Sequence, residues 1–233
     1  MNFDNIFIFV IASFGNPIYD ELIRMRKLQF KKYNIAHMFL YDTLPPEKTI
    51  LDKSDIVFSR EPLTHKVLCH PELNPHMTMK FLRGLQLIDE NKYTYILRVN
   101  ISTFINLQSL LDLLSTKHTR HFAGGNIMCH QIYDWSISPV IPFEFISGTC
   151  MIFSTDVIQY LKTLPLDDPV YYTHNDDVII SYIVKNYCKS LTNIQYTWSI
   201  HEASCLYRIK DDFDRTNDIK KWRYLLKSID SID

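Results

Sequence analysis

The stretch Tyr95-Ile96-Leu97-Arg98-Val99-Asn100-Ile101-Ser102-Thr103-Phe104 decides how this chain is read. Residues 94–99 form a short apolar run ending in polar residues, the pattern of a buried strand. Side chains alternate across a strand, so Arg98, Asn100 and Ser102 share one side while the chain stays extended. Three polar groups at the tip of an apolar strand suit the open end of a sheet better than its core. An Arg fork can grip a diphosphate through two hydrogen bonds, and Asn and Ser can bond ribose or phosphate oxygens. The same residues also suit a plain strand end, with Asn100 as turn former. Taken alone, the stretch leaves both readings open.

Upstream, residues 6–12 are a continuous apolar run, short enough for another buried strand. It stops at Ser13-Phe14-Gly15-Asn16-Pro17, where Asn16 is a good N-cap and Pro17 suits the first helical position. Ile18, Leu22 and Met25 then follow at helical spacing. Residues 37–41 read as a strand and residues 44–47 as a proline-marked turn. Asn74-Pro75 repeats the cap chemistry before a helical face of Met77, Phe81, Leu85 and Ile88. Downstream, Leu107, Leu110, Leu111 and Leu114 mark a helix, and residues 145–153 a strand. Ser154 is placed to cap a helix carrying Val157, Tyr160, Leu161 and Leu164. Residues 178–187 read as a helix, 194–198 as a strand and 219–226 as a last helix. Strands alternating with helices predict an α/β layer fold with a mostly parallel sheet. Such sheets bind ligands outside the carboxyl ends of their strands, so the loops after Ala12 and Val99 are the candidate sites.

Composition narrows the function classes. The 233 residues are 46% hydrophobic and 22% charged, ordinary globular values. A chain of this length buries roughly 70–75% of its extended surface, so one domain over residues 1–233 is expected without metal or disulfide staples. Basic and acidic residues number 25 and 26, for a net charge of −1. That balance argues against sequence-independent binding of nucleic acid. Five scattered cysteines look like reduced thiols of a cytoplasmic protein. No signal peptide and no apolar run long enough to span a membrane is recognised.

Several groups are candidates for chemistry, each beside a plainer reading. Ser13, Phe14 and Asn16 can touch a nucleotide base, or simply form a turn before a helix. Lys80 can reach a diphosphate from the helix before residue 94, or be solvated. Asp176 and Asp177 open a helix, where acids gain about 0.3–1 kcal/mol from the dipole. Adjacent helical residues diverge by about 100°, so at most one of the two does chemistry, as a general base. His201 is a weak metal candidate, with Asp176 or Asn100 as partners. His65, Cys69, His70 and His76 fit no zinc spacing. The phosphate-binding glycine loops and the Gly-x-Ser-x-Gly elbow are absent, which disfavours dinucleotide dehydrogenases, P-loop enzymes and α/β-hydrolases.

Taken in order, the segments carry a family resemblance. They are Tyr95 through Phe104, Ala123-Gly124-Gly125, Phe145-Ile146-Ser147-Gly148, His174-Asn175-Asp176-Asp177-Val178, His201, Tyr207-Arg208-Ile209-Lys210, Asp214-Arg215 and Asp218-Ile219. Over roughly residues 6–226 this resembles the small GT-A-fold glycosyltransferases of giant and algal DNA viruses, distant relatives of the Fringe and β-1,3-galactosyltransferase group. The resemblance implies a nucleotide-sugar donor, UDP-sugar favoured, and a glycan or glycoprotein acceptor, in host cytoplasm or virion. It also implies Asp177 as base, Asp176 as second choice, and donor contacts from Ser147-Gly148.

Relatives end this strand in Asp-x-Asp, which holds a divalent cation on the diphosphate; here Asn100-Ile101-Ser102 stands in its place. Arg98 and Lys80 could then neutralise the diphosphate. The alternative is a weakly held Mn²⁺ or Mg²⁺ between the donor and His201. Tyr133, Trp135, Tyr171 and Tyr172 could form a stacking wall for the acceptor. One base without a second nucleophilic carboxylate fits inversion. Two other readings stay open: a non-catalytic nucleotide-sugar binder, and an interaction protein with a degenerate pocket.

Overall fold

The central strand β1 (Ile6–Ile11) has all six side chains buried, so it must lie inside a sheet covered on both faces. The computed structural model describes residues 1–41, 45, 51–59, 76–132 and 141–232. After β1 come α1 (Pro17–Tyr33), β2 (Ala36–Tyr41), β3 (Asp55–Val57), α2 (His76–Leu85), β4 (Tyr95–Asn100) and β5 (Thr103–Ile105). Then follow α3 (Leu107–Ser115), β6 (Ala123–Ile132), β7 (Ile141–Ser154), α4 (Thr155–Lys162) and α5 (Asp176–Cys188). The chain ends with β8 (Thr192–Asn193), β9 (Leu206–Arg208) and α6 (Thr216–Asp230).

Seven strands form one sheet in the order β3-β2-β1-β4-β7-β6-β8. The first four are parallel; β7 runs antiparallel to both β4 and β6, and β8 is parallel to β6. A separate antiparallel pair, β5-β9, joins Thr103 to Arg208. Strand alternation divides the core. Ile8, Val10, Leu97 and Val99 face α1, α3 and α6 through Phe30, Leu110 and Trp222. Phe7, Phe9 and Ile96 face α2, α4 and α5 through Phe81, Ile158 and Ile180. The expected α/β architecture, a mostly parallel sheet flanked by helices, is what forms.

Local chemistry sets the element ends. Asn16 Oδ1 accepts from the Ile18 amide at 3.0 Å, and Pro17 opens α1. Ser154 precedes α4 as expected, yet its hydroxyl donates to Asp156 at 2.6 Å instead of capping an amide. The strand expected at residues 194–198 is not one. Strand β8 is only Thr192–Asn193, and beyond it a single bridge pairs Thr197 with Tyr207. After the Ile194 amide bonds Gly125 O at 2.8 Å, the chain leaves the sheet edge for β9. In β6 the register shifts between Gly125 and Ile127. Gly125 has φ +152°, and a Cβ there would collide with the Cys150 carbonyl and the Ile146 side chain.

The Asn74-Pro75 cap, residues 44 and 46–47 of the expected turn, and His65, Cys69 and His70 lie outside the described residues. Tyr171 and Tyr172, expected at an acceptor wall, are each 1% exposed. Their hydroxyls are tied to Pro165 O at 2.7 Å and Asp167 Oδ1 at 2.9 Å, so both rings are core and cannot stack on a ligand. Their proposed companions Tyr133 and Trp135 lie outside the described residues. Among the described residues no helix is long and apolar enough to cross a membrane.

Candidate active site

Strand β4 brings its polar tip to the carboxyl edge of the sheet, beside the carboxyl end of β1. There a cavity of about 360 Å³ opens between the two strand ends, α2 and β9. Three cations line it: Lys80 from α2, and Arg208 and Lys210 from the end of β9. Ser13, Asn100 and Ser102 supply neutral hydrogen-bonding groups, and among the described residues no carboxylate belongs to the lining. Lys80 is 2% exposed, and its ammonium donates to Ala12 O at 3.3 Å. Arg208 Nη1 donates to Ser102 Oγ at 2.8 Å. Lys210 pairs with the exposed Asp212 at 3.1 Å. The balance of charge is positive, so the cavity suits an anion with several oxygens.

A second group of residues lies on the same face of β4. Arg98 precedes Asn100 by two residues, and its side chain turns away from the cavity toward α5. The guanidinium is buried, donates to the Gly148 carbonyl and pairs with Asp176. Asp177 Oδ2 accepts from the Gly148 amide at 3.0 Å, and Oδ1 from the Val178 amide at 3.0 Å. Gly148 is thus pinned through its carbonyl by Arg98 and through its amide by Asp177. A Cβ at Gly148 would stand 2.6 Å from Arg98 Nη1 and 3.3 Å from Asp177 Oδ2, so the close approach requires glycine. Neighbouring side chains lock the turn: Ser147 and Thr149 hydroxyls bond at 2.9 Å, and Thr103 Oγ1 donates to Thr149 O at 2.8 Å.

The two acids of α5 have different surroundings. Asp176 faces a permanent cation. Burial, and then the charge of Asp176, raise the Asp177 carboxyl above its ordinary 3.8; the Gly148 amide and Arg98 pull the other way. A carboxylate with a raised pKa is a better proton acceptor than an ordinary one.

The structure distributes the sequence candidates unevenly. Ser13, Lys80, Asn100 and Ser102 meet in the cavity. Arg98, expected at the diphosphate, instead serves as the counter-ion of Asp176. Phe14 stacks on Tyr41 with ring centroids 3.9 Å apart, and Asn16 caps α1; neither lines the cavity. Ser147 and Gly148 sit with Asp177. His201 is exposed, its ring 5.6 Å from that of Tyr224 on α6, and it does not line the cavity.

Arg208 and Lys210 had no assigned role before the structure placed them. The alternation Arg208-Ile209-Lys210, running on from the end of β9, was the signal available: Ile209 is 0% exposed, and its two charged neighbours line the cavity.

Among the described residues, the divalent cation implied by the family resemblance finds no fitting donor set at the tip of β4. A hard cation takes charged oxygen ligands, whereas Asn100 and Ser102 are neutral. Arg208 already holds the Ser102 hydroxyl with a positive charge. Near a protein surface, two like unit charges 4 Å apart repel by about 4 kcal/mol. Among the described residues, no group of three or more His, Cys, Asp or Glu could hold a metal ion.

No family model and no curated protein matches this sequence. Among solved structures, a glycosyltransferase involved in the glycosylation of the major capsid of PBCV-1 aligns over 93% of this chain and 99% of its own, with a TM-score of 0.52 and 8% identity. The two chains share a fold. The mostly parallel sheet with helices on both faces is therefore the GT-A architecture that the sequence led us to expect. A 2-C-methyl-D-erythritol 4-phosphate cytidylyltransferase from Thermus thermophilus aligns over 92% of this chain and 98% of its own, with a TM-score of 0.44 and 12% identity.

Proposed function

We propose that this protein transfers a sugar from a nucleoside-diphosphate sugar, UDP-sugar favoured, to a hydroxyl of a glycan or glycoprotein acceptor, with inversion. One observation carries the reading. A carboxyl with a raised pKa, Asp177, is fixed by the Gly148 amide beside β4, whose tip opens into a cavity lined, among the described residues, by three cations and no carboxylate. The cavity takes the diphosphate, and Asp177 takes the proton of the acceptor hydroxyl. As the acceptor oxygen bonds the anomeric carbon, the bond from that carbon to the diphosphate oxygen breaks. The electron pair leaves on the diphosphate, whose growing charge the cations stabilise. Asp176 is bound to Arg98, so Asp177 is the base. One base, with no second nucleophilic carboxylate among the described residues of the site, fits inversion.

The test is release of UDP, GDP or CDP from a panel of nucleotide sugars in the presence of candidate acceptors, with hydrolysis subtracted. The replacement of the expected acids by Asn100 and Ser102 favours one second reading, a binder without turnover. That protein would retain the nucleotide sugar and release no diphosphate.

A further inference from the structure

We infer that Arg208, with Lys210 and Lys80, stands in for the divalent cation, so that this protein binds the diphosphate without metal. The inference rests on the proposed nucleotide-sugar reading and assigns the charge balance of that site.

Three observations carry it. The chain has no carboxylate at either position of the expected Asp-x-Asp, and none of the described residues lining the cavity is an acid. Arg208 Nη1 is bonded to Ser102 Oγ at 2.8 Å, which places a positive charge at the second of those positions. Arg208 is held there by the fold: the β5-β9 pairing sets Arg208 opposite Thr103, the residue after Ser102. Carboxylates and a metal together carry a net charge near zero, whereas a guanidinium bonded to a neutral serine keeps its whole charge for the ligand. A planar fork also meets two phosphate oxygens at once. Lys80, held at Ala12 O, and Lys210 flank it from the other walls.

Isothermal titration with inorganic pyrophosphate and with UDP, GDP and CDP tests this. Metal-depleted buffer is needed, because a soluble chelator is itself a polyanion that would compete for the site. The expected result is binding in metal-free buffer that changes less than about threefold when Mn²⁺ is added. Affinity should drop about 10- to 100-fold in Arg208→Ala, the scale of one or two lost charge-assisted hydrogen bonds. Lys210→Ala, at a half-exposed residue outside the core, guards against misfolding of the first variant; it should weaken binding several-fold and flatten the salt dependence. Binding that requires Mn²⁺, or that survives both substitutions unchanged, overturns the inference and leaves the nucleotide-sugar reading intact. No binding of any probe, with or without Mn²⁺, overturns both.

Discussion

Arg98 and Asp176 form an ion pair in which the arginine side chain is 1% exposed and the carboxylate 18%. A permanent cation is thereby spent on one acid of α5, and the adjacent Asp177 is left to the Gly148 amide. The two residues differ by one position in sequence and by their whole electrostatic setting.

The general base should be separable from the scaffold. Asp177→Asn keeps an oxygen for the Gly148 amide, so we expect turnover to drop by about 10²–10⁴-fold, the range for a lost general base, with little change in thermal unfolding. Donor-dependent release of nucleoside diphosphate measures the first, a melting curve the second. Unchanged turnover would remove Asp177 from the chemistry.

The acid limb of kcat/KM should respond to Asp176. The base must be ionised, so the rate rises with pH through the Asp177 pKa, which lies above 3.8. Asp176→Asn removes the neighbouring like charge, and the limb should then move to lower pH. A limb that stays in place would mean that the titrating group is elsewhere.

Breaking the Arg98 pair should cost stability as well as rate. Arg98→Met leaves Asp176 and the Gly148 carbonyl without their partner. Removing one member of a buried pair costs about 3–5 kcal/mol, readable as a lower urea midpoint. Gly148→Ala attacks the same contact from the other side. Its methyl group must displace Arg98, at about 1–3 kcal/mol for overpacking, with at least about tenfold lower activity. If Gly148→Ala is neutral in both assays, the pinned turn is not needed.

A carboxyl far from the cleft should shape the stability–pH curve. Asp230, 1% exposed, accepts from Gln29 and Tyr33 and ties α6 to α1. Burial, its first cause, raises its pKa above 3.8. The folded state thus holds this proton more tightly than the unfolded one. The resulting stability is full below 3.8 and is lost as pH rises through the folded pKa. Asp230→Asn should flatten that fall relative to the parent protein, as judged by urea unfolding at several pH values; an unchanged slope would assign the fall to other acids.

Much of this fold could be read because its signals are local. The Asn16-Pro17 cap, the leucine spacing from Leu107 to Leu114 and the apolar run of β1 each specify one element through adjacent residues. The 194–198 segment misled because alternating Ile194, Tyr196 and Trp198 resemble a strand, while its pairing with a neighbour extends to the single bridge at Thr197 and Tyr207. Arg98 misled for a similar reason. Alternation fixed its face of the sheet, but its partner, Asp176, comes from 78 residues away. Arg208 lies 106 residues beyond Ser102, and nothing local announces their bond. The site was legible where one strand displays it and illegible where distant segments complete it.

The short β5-β9 ribbon has a bearing on how this protein is made. Thr103 pairs with Arg208, and behind the ribbon Phe104 meets the Trp222 ring edge-on at 5.3 Å. Arg26 lies 4.4 Å over that same ring and donates to Thr103 O. One wall of the cleft therefore leans on the final helix. A nascent chain can pair β1, β2 and β4 early, yet it cannot assemble the cleft until the residues of α6 have left the ribosome. Shortening the chain before Trp222 should thus silence the site while leaving much of the sheet able to form.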